Sequence, residues 1–297
     1  MKILVFGAGA IGSLFAGLLA KAGFNTVLVG RSEHVAAINA YGLRMEGVIQ
    51  DTLKIPAYTN LEQVKDIDLI ILATKAYDTQ KAMEQIAPIL KPETRILSIQ
   101  NGLGNEEIIA QYSKHVVGGI TSNGVAYTKP GHIIYHAPGL TTIGNYAAVN
   151  DDFVFKIQKV LEKAGLKTKV SDQIKGDIFQ KLIINVGINA LATIAGVENG
   201  EVIKQTKLKT MFIKLIDEAV NVGKAKGLKV PDDMLEQAIA VVENTAKNTN
   251  SMLQDMRKGK QTEIDFLNGK IVELGKEVGV VTPLNLRMTQ MIKDCSR

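Results

Sequence analysis

The sequence has little cysteine or proline and no long uninterrupted apolar run. Its single cysteine, Cys295, excludes an internal disulfide framework. Seven prolines against 27 glycines speak against a linker-rich chain and suit a compact α/β enzyme. No apolar run reaches the roughly 18 residues that suggest a membrane-spanning helix, so none is expected. The apolar start Ile3–Phe6 is too short for the core of a signal peptide, and glycines follow it at once. A cytoplasmic protein is therefore expected. No stretch joins dense lysine and arginine to aromatics, which argues against nucleic-acid binding despite a formal net charge of +5. That charge favours anionic ligands such as dinucleotides and small carboxylates. It fits a lysine-rich solvated surface equally well. There is no internal repeat or low-complexity tract.

What is present is a change of period along the chain. The first half alternates apolar strands with amphipathic helices. Strands are predicted at Lys2–Phe6, Thr26–Val29, Asp68–Ala73 and Arg95–Ile99, with helices at 10–22, 78–87 and 104–112. The segment 116–145 is rich in glycine, threonine and tyrosine, and its short runs, such as His132–His136, are expected to add strands at the sheet edge. A helix near 151–164 and a strand at Lys167–Val170 follow. From about residue 172 the strand pattern ends and helices are predicted near 174–195, 205–226, 232–247, 262–278 and 284–294. The expected architecture is an α/β Rossmann-type doubly wound sheet over residues 1–171, followed by an all-helical domain over 172–297.

Gly7-Ala8-Gly9-Ala10-Ile11-Gly12 follows the first strand and opens the first helix. The first glycine permits the tight turn, the second admits a pyrophosphate to the backbone, and the third lets helix and strand pack closely. Backbone N–H groups at the helix start then face the phosphates. After the second strand, an acidic residue would accept hydrogen bonds from the ribose hydroxyls of NAD. Gly30-Arg31-Ser32 stands there instead. A guanidinium and a hydroxyl suit a 2′-phosphate, which favours NADP (NADPH), although Arg31 could also be a solvated turn residue.

In the second half, Gln180–Leu191 is apolar around almost the whole helical projection, as in a buried helix. Lys181, Asn185 and Asn189, each four apart, form one polar stripe on it. Burying such groups without partners costs on the order of 1–3 kcal/mol each. Either an internal polar network meets them, or they line a cleft for a polar anion. A lysine there could protonate an alkoxide as a carbonyl accepts hydride. A second polar cluster runs Asn248-Thr249-Asn250-Ser251 and offers amides and a hydroxyl to a carboxylate or hydroxyl ligand. In Gly259–Asp265, Thr262 reads as a helix cap and Glu263 first as a residue of the opening turn, where the dipole favours an anion. No metal site is expected.

The glycine loop, Ala73-Thr74-Lys75-Ala76, Gln100-Asn101-Gly102-Leu103-Gly104, KLIINVGINALATI, NSMLQD and GKQTEIDFLNG together resemble the ketopantoate reductase family, in order along essentially the whole chain. The resemblance implies NADPH-dependent reduction of 2-dehydropantoate to (R)-pantoate, a step towards pantothenate and coenzyme A. It implies Lys181 as proton donor, with Asn185, Asn189, Asn199, Asn248, Ser251 and Asn101 at the substrate. Gly7 to Gly12, Arg31, Lys75, Asn101 and Glu263 match cofactor contacts, and Val125 matches a backbone contact in a loosely aligned stretch. It also raises Glu263 to a catalytic position. One departure is Thr121-Ser122-Asn123-Gly124, where many members carry a histidine. Two other functions stay open: a reductase of another branched 2-oxo acid, and a non-catalytic dinucleotide sensor. The sensor would be expected to have lost the Lys181–Asn185–Asn189–Glu263 set. Expected partners are limited to a small anionic 2-oxo acid, with neither nucleic acid nor membrane. A homodimer is compatible with this reading.

Overall fold

Aliphatic runs without polar alternation suit strands covered on both faces. The computed structural model, which describes residues 1–295, folds them in that way. In chain order the strands are β1 (Lys2–Phe6), β2 (Asn25–Val29), β3 (Leu43–Gly47), β4 (Asp51–Leu53), β5 (Ala57–Tyr58) and β6 (Leu69–Leu72). They continue as β7 (Arg95–Ser98), β8 (Val116–Thr121), β9 (Gly124–Lys129), β10 (His132–Ala137), β11 (Thr141–Asn145) and β12 (Thr168–Val170). Helices α1 (Ala10–Lys21), α2 (Ser32–Tyr41), α3 (Thr79–Ile86), α4 (Asn105–Ala110) and α5 (Asp152–Lys163) belong to the same half.

The main sheet has the order β12-β11-β8-β7-β6-β1-β2-β5. From β5 to β8 all neighbours are parallel; β11 runs antiparallel to β8, and β12 parallel to β11. With β2 on one side of β1 and β6 on the other, the chain reverses its direction of travel at the β1–β6 boundary. In open α/β sheets that boundary is where a ligand crevice opens beyond the carboxyl ends of the strands.

A second sheet, β4-β3-β10-β9, corrects the expectation for 116–145. Strands β8 and β11 do extend the main sheet, but His132–His136 lies in this smaller sheet, where β10 pairs in parallel with β3. The partner is distant in sequence, so local pattern could not reveal it. Helix α1 contacts β1 and β2 of the main sheet and β3, β9 and β10 of the smaller one. The fit is tight enough that a Cβ on Gly17 would lie 2.4 Å from Met45 Sδ. His34 of α2 joins these layers. It accepts the Gly131 N–H at Nδ1 (2.8 Å), which leaves Nε2 to donate to Ser13 Oγ (3.0 Å). Burial pushes its pKa down to about 4, so the ring is neutral.

The departure at Asn123 has a structural use. Its Nδ2 donates to Thr121 Oγ1 (2.7 Å), while Oδ1 accepts from the Tyr135 hydroxyl (2.6 Å) and Gly139 N–H (2.9 Å). One amide thus ties the β8–β9 turn to β10 and to the loop before β11.

The remaining helices are α6 (Ile174–Ala195), α7 (Glu201–Lys204), α8 (Thr206–Ala225), α9 (Met234–Asn244), α10 (Ser251–Arg257), α11 (Asn268–Val278) and α12 (Pro283–Cys295). Strand-rich residues 1–100 and 104–174 form one compact unit; Asn101–Leu103 and the chain from Lys175 onward form a second. Helix α6 is long and apolar enough to cross a membrane, with a mean hydropathy of 1.5, but 67% of that stretch is buried inside the protein. Its apolar faces join Phe212, Leu215 and Ile271 in the helical core. Gly187 lets Phe212 approach, since a Cβ there would lie 2.9 Å from the ring.

Asn123→Ala leaves the Tyr135 hydroxyl and the Gly139 N–H without their acceptor. The expected cost is about 2–3 kcal/mol, seen as a thermal midpoint lower by about 5 °C or more. An unchanged midpoint would contradict the clamp.

Candidate active site

The three glycines after β1 differ in surroundings. Gly7 has φ +109°, and a Cβ on it would lie 2.6 Å from Thr74 N. A Cβ on Gly12 would lie 1.9 Å from Gly7 O, whereas one on Gly9 would meet nothing within 4 Å. The turn and the helix–strand contact are therefore filled by the protein, and the middle glycine presents bare backbone to open space. Helix α1 begins at Ala10 with no acidic residue in its first turn, so its N–H groups keep their affinity for an anion. This cradle fits a dinucleotide pyrophosphate. Ala8 lies against Gly30, where a Cβ would come within 2.4 Å of the Ala8 Cβ.

Arg31 is exposed and immediately precedes α2; Glu33 lies in the first turn of α2. Lys75 follows β6, next to Thr74, whose backbone N borders Gly7. Val125 lies in β9, paired with Tyr135. Gln100, absent from the sequence-based set, holds the chain beyond β7. Its Nε2 contacts Thr74 Oγ1 (3.0 Å) and Thr79 Oγ1 (2.8 Å), and Thr79 donates onward to Asn105 Oδ1 (2.8 Å).

In the second unit, Lys181 Nζ donates to Asn101 Oδ1 at 2.9 Å. Burial pushes the lysine pKa down to about 8, and the Glu263 carboxylate partly opposes that fall. Glu263 is 5% exposed. The expected helix start at Thr262 is corrected. Glu263 precedes a 3-10 turn, Ile264–Phe266, and α11 starts only at Asn268 because Leu267 has a non-helical backbone (φ −112°, ψ −102°). This irregular segment packs on the Asn101 turn: Leu103 N–H donates to Phe266 O (3.1 Å), and a Cβ on Gly102 would lie 2.7 Å from that oxygen. The structure thus joins Lys181, Asn101 and the Glu263 segment.

Asn185 is partly buried and Asn189 buried, one and two turns beyond Lys181 on α6. The stripe continues to Thr193, whose hydroxyl donates to Asn250 Oδ1 (3.3 Å). Asn250 also accepts Leu253 N–H (3.0 Å) and so caps α10, a helix not foreseen from sequence. Ser251, the first residue of α10, and Asn248 are exposed. Asn199 N–H donates to Asn248 O (3.0 Å), and Asn199 Nδ2 donates to Thr245 Oγ1 (3.2 Å). Among the described residues, Asn199 Oδ1 and Asn250 Nδ2 are buried without a partner. Thr193 was legible as the next four-residue step of the stripe; Asn250 gave no signal beyond its place in a polar run. Among the described residues no group of three or more His, Cys, Asp or Glu could hold a metal ion.

Comparison with known proteins gives matches along both units. Residues 3–148 match the family described as Ketopantoate reductase PanE/ApbA, and residues 173–296 match its C-terminal part. The 2-dehydropantoate 2-reductase of Pyrococcus horikoshii is 40% identical over 99% of this chain and 97% of its own. That of Archaeoglobus fulgidus is 32% identical over 98% and 97%. Among solved structures, a PanE/ApbA family ketopantoate reductase from Ralstonia eutropha superposes with a TM-score of 0.93 at 30% identity, covering 100% of this chain and 98% of that one. D-mandelate dehydrogenase with NADH and anilino(oxo)acetate reaches the same TM-score, identity and coverage. With matches that span both units, the chain belongs to the ketopantoate reductase family.

Proposed function

We propose that this oxidoreductase reduces 2-dehydropantoate to (R)-pantoate with NADPH, on the route to pantothenate and coenzyme A. The observation that carries the reading is Lys181: a partly buried amine on the Asn185–Asn189 stripe, bonded to Asn101, with a pKa of about 8. Such a group is mostly protonated at neutral pH, yet gives up its proton far more readily than a solvated lysine. It donates that proton to the C2 oxygen as negative charge develops there, a contribution of typically about 10²–10⁴-fold. Until the transfer, its positive charge stabilises the same oxygen. Glu263 keeps the amine charged. Asn101, Asn185, Asn189, Asn199, Asn248 and Ser251 supply the amides and hydroxyl that hold the 2-oxo acid. The unpaired, buried Oδ1 of Asn199 supports a ligand able to donate a hydrogen bond.

The cofactor is held by Gly7, Ala8, Gly9, Ala10, Ile11 and Gly12 at its pyrophosphate, with Lys75, Asn101, Val125 and Glu263 as further contacts. When bound, it supplies the hydride that reduces C2. Arg31 pairs with the 2′-phosphate, which favours NADPH over NADH. The likeness to D-mandelate dehydrogenase supports a second reading, reduction of a different 2-oxo acid on the same scaffold. Comparing kcat/KM for 2-dehydropantoate and 2-oxoisovalerate separates the two, and a preference of about tenfold or more for 2-oxoisovalerate would overturn the first.

Lys181→Ala is expected to lower kcat by at least about 100-fold while the Kd for NADPH, measured by fluorescence titration, changes little. Near-normal turnover would refute the proton-donor role. Arg31→Ala is expected to weaken NADPH binding by about tenfold or more, and NADH far less. Equal losses for both would count against a 2′-phosphate contact.

A further inference from the structure

On the His34 ring, three residues beyond Arg31, rests a residue that neither the glycine loop nor the polar stripe accounts for. Tyr127 lies on β9, two residues beyond Val125 and therefore on the same face of that strand. Its ring rests against the His34 imidazole, with centroids 5.0 Å apart and planes tilted by 53°. His34 is itself immobilised. It bridges Ser13, the residue after Gly12, to Gly131, and it sits in the first turn of the helix that Arg31 opens. The imidazole thus fixes Tyr127 against both the pyrophosphate loop's helix and the start of α2.

The tyrosine is only partly buried, and among the described residues its hydroxyl has no hydrogen-bond partner. The charges of Glu33 and Arg31 both act on it, and burial and Glu33 hold its pKa above the usual phenol value. The hydroxyl therefore stays protonated and able to donate. A protonated phenol within electrostatic reach of an exposed guanidinium offers a second kind of donor to an anion with several acceptor oxygens.

We propose that Tyr127 is a second ligand of the cofactor's 2′-phosphate, acting with Arg31 and held in place by His34. Arg31 supplies charge, and Tyr127 supplies a directional hydrogen bond from a ring packed against His34. A ribose 2′-hydroxyl lacks the phosphate oxygens and the charge, so NADH gains little from the pair. His34 is a positioning residue: it touches Ser13, Gly131 and the tyrosine ring. The proposal rests on the NADPH reading above.

The test compares Tyr127→Phe with the native chain, by titration with NADPH and NADH. The substitution removes one oxygen and keeps the ring on His34, so the fold is expected to persist. Loss of a hydrogen bond to a charged group should raise the Kd for NADPH by about tenfold, and that for NADH by less than about twofold. The double variant with Arg31→Ala should lose less than the product of the two single effects, because the residues share one ligand. Equal changes for the two cofactors, or none for NADPH, would overturn the role of Tyr127. A native chain that binds NADH as tightly as NADPH would instead overturn the underlying cofactor reading.

Discussion

Taking an ammonium out of water costs several kcal/mol unless opposite charge and hydrogen bonds replace the lost solvent. Lys181 imposes that constraint on the second unit. It projects from α6, a helix that is largely apolar and mostly buried. The compensation comes from two sequence-distant places, the Asn101 oxygen and the Glu263 carboxylate. Each needs irregular backbone. Gly102 has positive φ and lies against Phe266, while Glu263 precedes a short 3-10 turn rather than entering a helix. These unusual local conformations bring the Asn101 oxygen and the Glu263 carboxylate to bear on a desolvated lysine.

The first unit solves a different problem, leaving backbone exposed without leaving a void. Gly7 and Gly12 are packed so closely that neither tolerates a Cβ, whereas Gly9 faces open space. The helix after the loop is braced by the smaller sheet and by His34, a neutral imidazole with both nitrogens engaged. A loop that must receive phosphates loses little further conformational freedom on binding if it is already rigid.

Much of this was legible in the sequence because the signals were local. The run Lys2–Phe6, the glycine spacing and the unbroken apolar surround of α6 each follow from one stretch of chain, and α6 was placed with both ends correct. The four-residue spacing of Lys181, Asn185 and Asn189 likewise fixed one face. What escaped depends on partners far apart in sequence. The smaller sheet needs β3 to find β10, and although His132–His136 read as a strand, its distant partner could not be read from local pattern. The contact of Lys181 with Asn101 joins residues 80 apart in sequence. Helix α10 escaped because its start, Asn248–Ser251, reads as a polar loop; its cap, Asn250, draws support from Thr193 on α6. Thr262 misled for the opposite reason: its local pattern was that of a helix cap, but Leu267 prevents a helix from forming there.

The proposed chemistry depends on the balance between burial and Glu263 at Lys181, and the pH dependence of kcat/KM for reduction tests that balance directly. With Lys181 as the proposed proton donor, reduction needs the protonated amine. Activity of the native enzyme should therefore fall as pH rises through about 8. Glu263→Gln removes the charge that opposes desolvation, so the descending limb should move to lower pH. A limb at the same pH in both enzymes, or a native profile flat to pH values well above 8, would contradict it.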